Sequence, residues 1–177
     1  MMGTQNITPL NVLEISLMKE ADEKYFYITL AKHVSNPEVR NFLNLMANES
    51  IQHGVVIRKL LVTDKVKLDY GTNTTTPSSF IKEHFQNDIF PTGRDISKMA
   101  PELEGTREVL DFSLETELVA AEFYKLLGEY CEKISAKQAL LLLEKTELVH
   151  VEKIKSFKKN ISEKGTKKIC LKKFICR

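Results

Sequence analysis

One stretch of this sequence recurs inside it. Laid on itself at an offset of 97 residues, without a gap, the chain matches Val12, Leu13, Ser16, Leu17, Glu20, Phe26, Tyr27, Leu30, Leu43, His53 and Ile57 with Val109, Leu110, Ser113, Leu114, Glu117, Phe123, Tyr124, Leu127, Leu140, His150 and Ile154. These eleven identities exceed the few that chance supplies, and a repeat of this length implies one supersecondary unit used twice. Most matched residues are apolar and fall at spacings of three, four or their sums, which is the helical period. Each copy reads as a pair of helices.

In the first copy, Thr8 caps a helix with Pro9 in its first turn, and Leu10, Leu13, Leu17, Tyr27, Ala31 and Val34 form its apolar stripe. It ends near Ser35, which caps a second helix with Pro37 in the first turn and Glu38 completing a capping box. Val39, Leu43, Met46, His53, Ile57 and Leu60 line that helix. So short a turn forces an antiparallel hairpin. In the second copy Thr106 caps a helix running to about Lys133, and Ser135 with Gln138 opens another, striped by Ala136, Leu140, Leu143, Ile154 and Phe157.

From about Val62 to Gly105 the period is broken by Gly71, Pro77, Pro91, Gly93 and Pro101. This reads as a crossover with a short helix near Ser79 to Phe85. Two hairpins (about 9–62 and 106–160) joined by one long crossover (about 63–105) predict an all-α fold, an antiparallel four-helix bundle over residues 1–163. At 177 residues one core suffices.

Residues 164–177 carry six basic side chains and no acid, so the other 20 Lys and Arg stand against 24 Asp and Glu and the body is at −4. An acidic body with a basic tail predicts no nucleic-acid binding, and the tail reads as a solvated end in preference to a basic amphipathic segment. No apolar run reaches the roughly 20 residues of a membrane span, and Met1 to Pro9 has no leader pattern, so a cytoplasmic location is expected. The three cysteines, Cys131, Cys170 and Cys176, contain no C-x-x-C pair; reduced thiols are expected, with Cys131 in the core. His84 and Asp88, four apart in the crossover, read as surface residues.

Two matched pairs are not core-like: Glu20 with Glu117 and His53 with His150 are polar groups on apolar stripes. A buried carboxylate loses hydration worth several kcal/mol unless a cation or hydrogen-bond donors replace the water. Glu147 precedes His150 by three residues, which leaves the two about 60° apart on one helix, both within reach of a single ion. Glutamate with imidazole suits iron, manganese or zinc, and a Glu from each of two helices with Glu-x-x-His from the others is a di-metal pattern.

On the stretches EADEKYFY from Glu20 to Tyr27, ELVAAEFY from Glu117 to Tyr124 and ELVH from Glu147 to His150, the chain resembles the rubrerythrin-like branch of the ferritin-like di-iron carboxylate family, over roughly residues 9–160. The resemblance implies Glu20 and Glu117 as terminal ligands, Glu147 as a bridging ligand, and His53 and His150 as histidine ligands. Where the family has another bridging glutamate, three residues before His53, this chain has Ser50. Glu49 is the favoured substitute, being about 40° to the other side of His53; Glu23, three residues after Glu20, is the second candidate. Rubrerythrins carry an additional glutamate like Glu23 on the third helix, where this chain has Ala120. Tyr27 and Tyr124 read as core residues, with hydrogen bonding to ligand carboxylates as the sharper alternative.

The resemblance further implies two iron ions, with manganese or zinc as alternatives, and reduction of peroxide or dioxygen in defence against oxidative stress. Lacking rubredoxin-type cysteines, the protein would draw electrons from a separate donor protein; a homodimer is among the assemblies open to it. Ferroxidase or iron-handling activity, with ferrous iron as substrate, and a non-catalytic metal-binding or metal-free scaffold are the alternative readings.

Overall fold

The computed structural model describes residues 9–63, 93–100, 103, 105–129 and 134–175. The described residues form five helices: α1 (Pro9–His33), α2 (Pro37–Thr63), the short α3 (Gly93–Met99), α4 (Thr106–Glu129) and α5 (Ile134–Ile175). Among the described residues there is no strand, so the all-α expectation stands. The expected helix at Ser79 to Phe85, the pair His84 and Asp88, and Cys131 and Cys176 lie outside the described residues.

The first hairpin turns within three residues. α1 ends at His33, whose Nδ1 lies 2.9 Å from the Thr29 carbonyl, and its last turn carries Lys32 and His33 where the helix dipole favours cations. The cap of α2 is Asn36, one residue beyond the expected Ser35: its Oδ1 accepts hydrogen bonds from the Glu38 and Val39 amides, at 2.9 and 3.4 Å. Asparagine wins because its side chain reaches both free amides while Pro37 needs none at the first helical position. Arg40 then donates to the Val34 carbonyl at 3.0 Å, tying the start of α2 to the end of α1.

In the second hairpin α4 opens at Thr106, with the Gly105 carbonyl accepting from the Val109 amide at 3.2 Å. Gly105 thus takes the capping position expected of Thr106. α5 begins at Ile134, one residue before the expected cap Ser135, and runs on to Ile175. The stretch expected to be a separate tail therefore continues a helix as far as Ile175. No helix among the described residues is long and apolar enough to cross a membrane.

The repeat is visible in the core. Phe26, Tyr27, Leu30, Leu43 and Ile57 are buried, and so are their counterparts Phe123, Tyr124, Leu127, Leu140 and Ile154. At roughly 1.5–3 kcal/mol per large side chain, their burial is what holds the two hairpins together. Phe26 of α1 packs on Phe112 of α4 with ring centroids 5.5 Å apart, and Phe42 of α2 stacks on Phe157 of α5 at 4.0 Å. Ile96 and Ala100 bring α3 onto the same core beside α1. The rings of His53 and His150, equivalent residues of the repeat, stack on each other at 5.3 Å. Equivalent residues that touch lie where the two hairpins meet face to face.

Candidate metal centre

Each long helix delivers polar side chains to one level of this core. From α1 come Glu20, Glu23 and Tyr27, from α2 Glu49, Ser50 and His53, from α4 Glu117 and Tyr124, and from α5 Glu147 and His150. Spacings of three and four keep each set on the inward face of its helix. Glu20, Glu23, Glu117, Glu147 and His150 are all buried, none more than 3 % exposed. The His53 side chain, at 27 %, is the partly open member of the histidine pair.

Glu23, Glu117, Glu147 and His150 form one cluster, each offering a donor atom within 4.8 Å of all the others. His150 Nδ1 lies 3.3 Å from Glu23 Oε1, from Glu117 Oε2 and from Glu147 Oε2. A single ring nitrogen cannot donate to three carboxylates. Donor atoms held about 2.0–2.1 Å from one ion in a tetrahedral array would be about 3.3–3.4 Å apart, so the spacing fits a cation between them.

The electrostatics point the same way. Burial, then the neighbouring Glu117 charge, pushes the Glu23 carboxyl up to about 8. Burial and the Glu23 charge hold Glu147 well above the carboxylate range, and burial raises Glu20 as well. For His150, burial alone would lower the value, but hydrogen bonding with Glu117, Glu147 and Glu23 overrides it and the imidazole is held well above its ordinary value. Without a cation these groups must share protons.

Several of these atoms lack any hydrogen-bond partner although fully buried: both Glu20 oxygens, Glu23 Oε1, Glu147 Oε2, His53 Nδ1 and His150 Nε2. His53 Nδ1 and Glu20 Oε2 sit 3.4 Å apart without hydrogen-bond geometry. Unpartnered buried oxygens and nitrogens of this kind cost about 1–3 kcal/mol each, more when charged. Buried together, Glu23, Glu117, Glu147 and His150 are a group that could hold a metal ion.

The tyrosines differ. Tyr27 donates a hydrogen bond to Glu117 Oε1, whereas the Tyr124 hydroxyl has Ser16 as neighbour without the geometry of a full hydrogen bond. Burial first, then adjacent glutamate charge, raises both phenols well above their usual value, so both remain protonated donors.

The two candidates for the carboxylate missing at Ser50 are placed differently. Glu23, second on sequence grounds, joins the cluster with Glu117, Glu147 and His150. Glu49, the favoured substitute, does not: its Oε2 faces the other ring nitrogen of His150, Nε2, at 3.3 Å and is hydrogen-bonded by the Lys153 ammonium. Angular offset from His53 placed Glu49 near the interior, but a half-buried lysine one turn past His150 draws it off. Ser50 is buried and turns its hydroxyl to the Met46 carbonyl at 3.1 Å. Spacing carries no signal for Lys153, since its partner is on another helix.

No protein-family model matches the chain, and no curated protein does. Among solved structures its fold is similar to that of a hypothetical protein from Pyrococcus furiosus, with a TM-score of 0.55 over 86% of this chain and 89% of that chain. The two sequences are 22% identical. That likeness concerns the fold alone.

Proposed function

We propose that the chain is a rubrerythrin-like member of the ferritin-like fold, holding two iron ions and reducing peroxide or dioxygen. The observation that carries this reading is the buried cluster of Glu23, Glu117, Glu147 and His150, whose donor atoms lie within 4.8 Å of one another. These four residues would hold one ion. Glu20 and His53, 3.4 Å apart on the adjoining side, would hold the second with a share of the glutamates between. Two hairpins packed about one core with the donors at one level support the ferritin-like arrangement.

A reduced metal pair supplies the two electrons that cleavage of the O–O bond consumes. The residues around it bind, orient and exclude water. Tyr27 fixes one oxygen of Glu117 by its hydrogen bond, while the other faces His150 Nδ1 within the cluster. Glu23, raised to about 8, gives up its proton as a cation arrives, so binding is coupled to proton release. The burial of Glu20, Glu23, Glu117, Glu147 and His150 keeps bulk water from these groups.

The test is metal analysis of protein purified without chelators, followed by peroxide turnover with a chemical reductant. About two iron or manganese ions per chain, with turnover lost in Glu147→Ala and His150→Ala, is the expected result. Ferrous oxidation by dioxygen without peroxide turnover would make it a ferroxidase. A folded protein that takes up no metal would leave a helical scaffold.

A further inference from the structure

We propose that Glu49 is a positioning residue for His150, pinned by Lys153, and not a metal ligand. The inference rests on the metal reading above and adds to it how the histidine is oriented.

His150 uses its two ring nitrogens differently. Nδ1 faces the three buried glutamates, while Nε2 faces only Glu49 Oε2 among the described contacts, also at 3.3 Å but from another helix. A neutral imidazole carries one N–H, and only the bare nitrogen can bind a cation. A carboxylate beside Nε2 favours the proton there and frees the Nδ1 lone pair for the cluster. Glu49 is on the wrong edge of the ring to share an ion bound at Nδ1.

Lys153 completes the device. Its ammonium bonds the same Oε2 of Glu49, so the carboxylate is held against the ring edge and partly neutralised. Lys153 follows His150 by three residues on α5, whereas Glu49 is on α2. The contact therefore ties the two helices at the level of the histidine. The stacked His53 ring, 5.3 Å away, restrains the flat face that Glu49 leaves free.

The experiment uses zinc, a diamagnetic probe, with the full-length metal-free protein. Zinc affinity and stoichiometry are measured by chelator competition, and the histidine nitrogens of the zinc-loaded protein by ¹⁵N NMR. The wild type should show His150 bound through Nδ1 with a slowly exchanging proton on Nε2. Glu49→Ala should lose about 10–100-fold in affinity, the range typical of an outer partner, and speed exchange of that proton, with Lys153→Met moving both in the same direction. Glu49→Gln, whose amide oxygen can still face the Nε2 edge, should keep the stoichiometry and most of the affinity.

Zinc bound through Nε2, or a Glu49→Gln protein that loses one zinc per chain as Glu49→Ala does, would overturn the proposal by making Glu49 a ligand. So would Glu49→Ala and Lys153→Met proteins with unchanged affinity and unchanged proton exchange. A wild type that binds no zinc, iron or manganese would overturn the metal reading itself, and is distinguished from those results by the wild-type titration alone.

Discussion

Ser50 and Glu147 hold equivalent places in the two hairpins, as do Glu23 and Ala120. The second hairpin has the carboxylate on its second helix, one turn before the histidine. The first has it on its first helix, one turn after Glu20. Both carboxylates nonetheless reach the same buried cluster at His150 Nδ1. A repeat can therefore keep its core positions in register while moving a polar group between helices, because side chains from all four helices converge on one level. The result is lopsided, with three carboxylates gathered at His150 and only Glu20 and His53 paired on the other side.

Removing Glu147, the proposed shared donor, should break this comparison most severely. Glu147→Ala is expected to weaken both metal positions, by more than the roughly 10–100-fold seen for outer partners, whereas His53→Ala should mainly affect one. Metal titration of each variant checks this, and equal losses in the two variants would remove the asymmetry. The transposition itself is tested next. Glu23→Ala should lose tight binding, and adding Ser50→Glu should recover part of it by restoring the carboxylate to α2; no recovery would mean that position 50 cannot reach the cluster.

A smaller effect is the pH dependence of the metal-free protein. Glu23 rises from 4.5 to about 8 and His150 rises above 6.5 on folding, so in each case the folded state binds protons more tightly than the unfolded. Stability from these groups is complete at low pH and is lost as pH rises, for Glu23 across 4.5 to about 8. The melting temperature should fall from pH 5 to pH 8, and Glu23→Gln should flatten that fall by staying neutral. Saturating metal should remove it; a metal-free protein that grows more stable over this range would contradict the burial of these carboxylates.

The fold was legible where the period was strong. Leu30, Leu43 and Ile57 and their repeat partners are buried as their stripes require. Helix starts were less so: Ser35 has the composition of a cap, but it is the Asn36 side chain that reaches the Glu38 and Val39 amides. Glu147 and His150 meet as their spacing of three implies, and Glu117, singled out with Glu20 by the repeat, joins them. That Glu23 and not Glu49 joins the cluster was not legible, because angular position on one helix says nothing of what the neighbouring helices present. Lys153 claims Glu49 from α5, and the His150 ring offers it an edge away from the cluster.

The smallest contrast concerns the tyrosines, which occupy equivalent positions but unequal surroundings. Tyr27 donates to Glu117 Oε1, a buried oxygen, so Tyr27→Phe leaves a carboxylate oxygen without its donor. A hydrogen bond to a charged group contributes about 1.5–3 kcal/mol, and the orphaned oxygen adds to the loss. The Tyr124 hydroxyl has no such bond, so Tyr124→Phe removes a buried oxygen that was already poorly partnered and should be close to neutral. In a chain of this size about 1 kcal/mol corresponds to about 2–4 °C, so metal-loaded Tyr27→Phe should melt several degrees below metal-loaded Tyr124→Phe. Equal melting temperatures would show that the metal-loaded site restores to Tyr124 a partner matching Glu117, and the asymmetry between the hairpins would then end at the ligands.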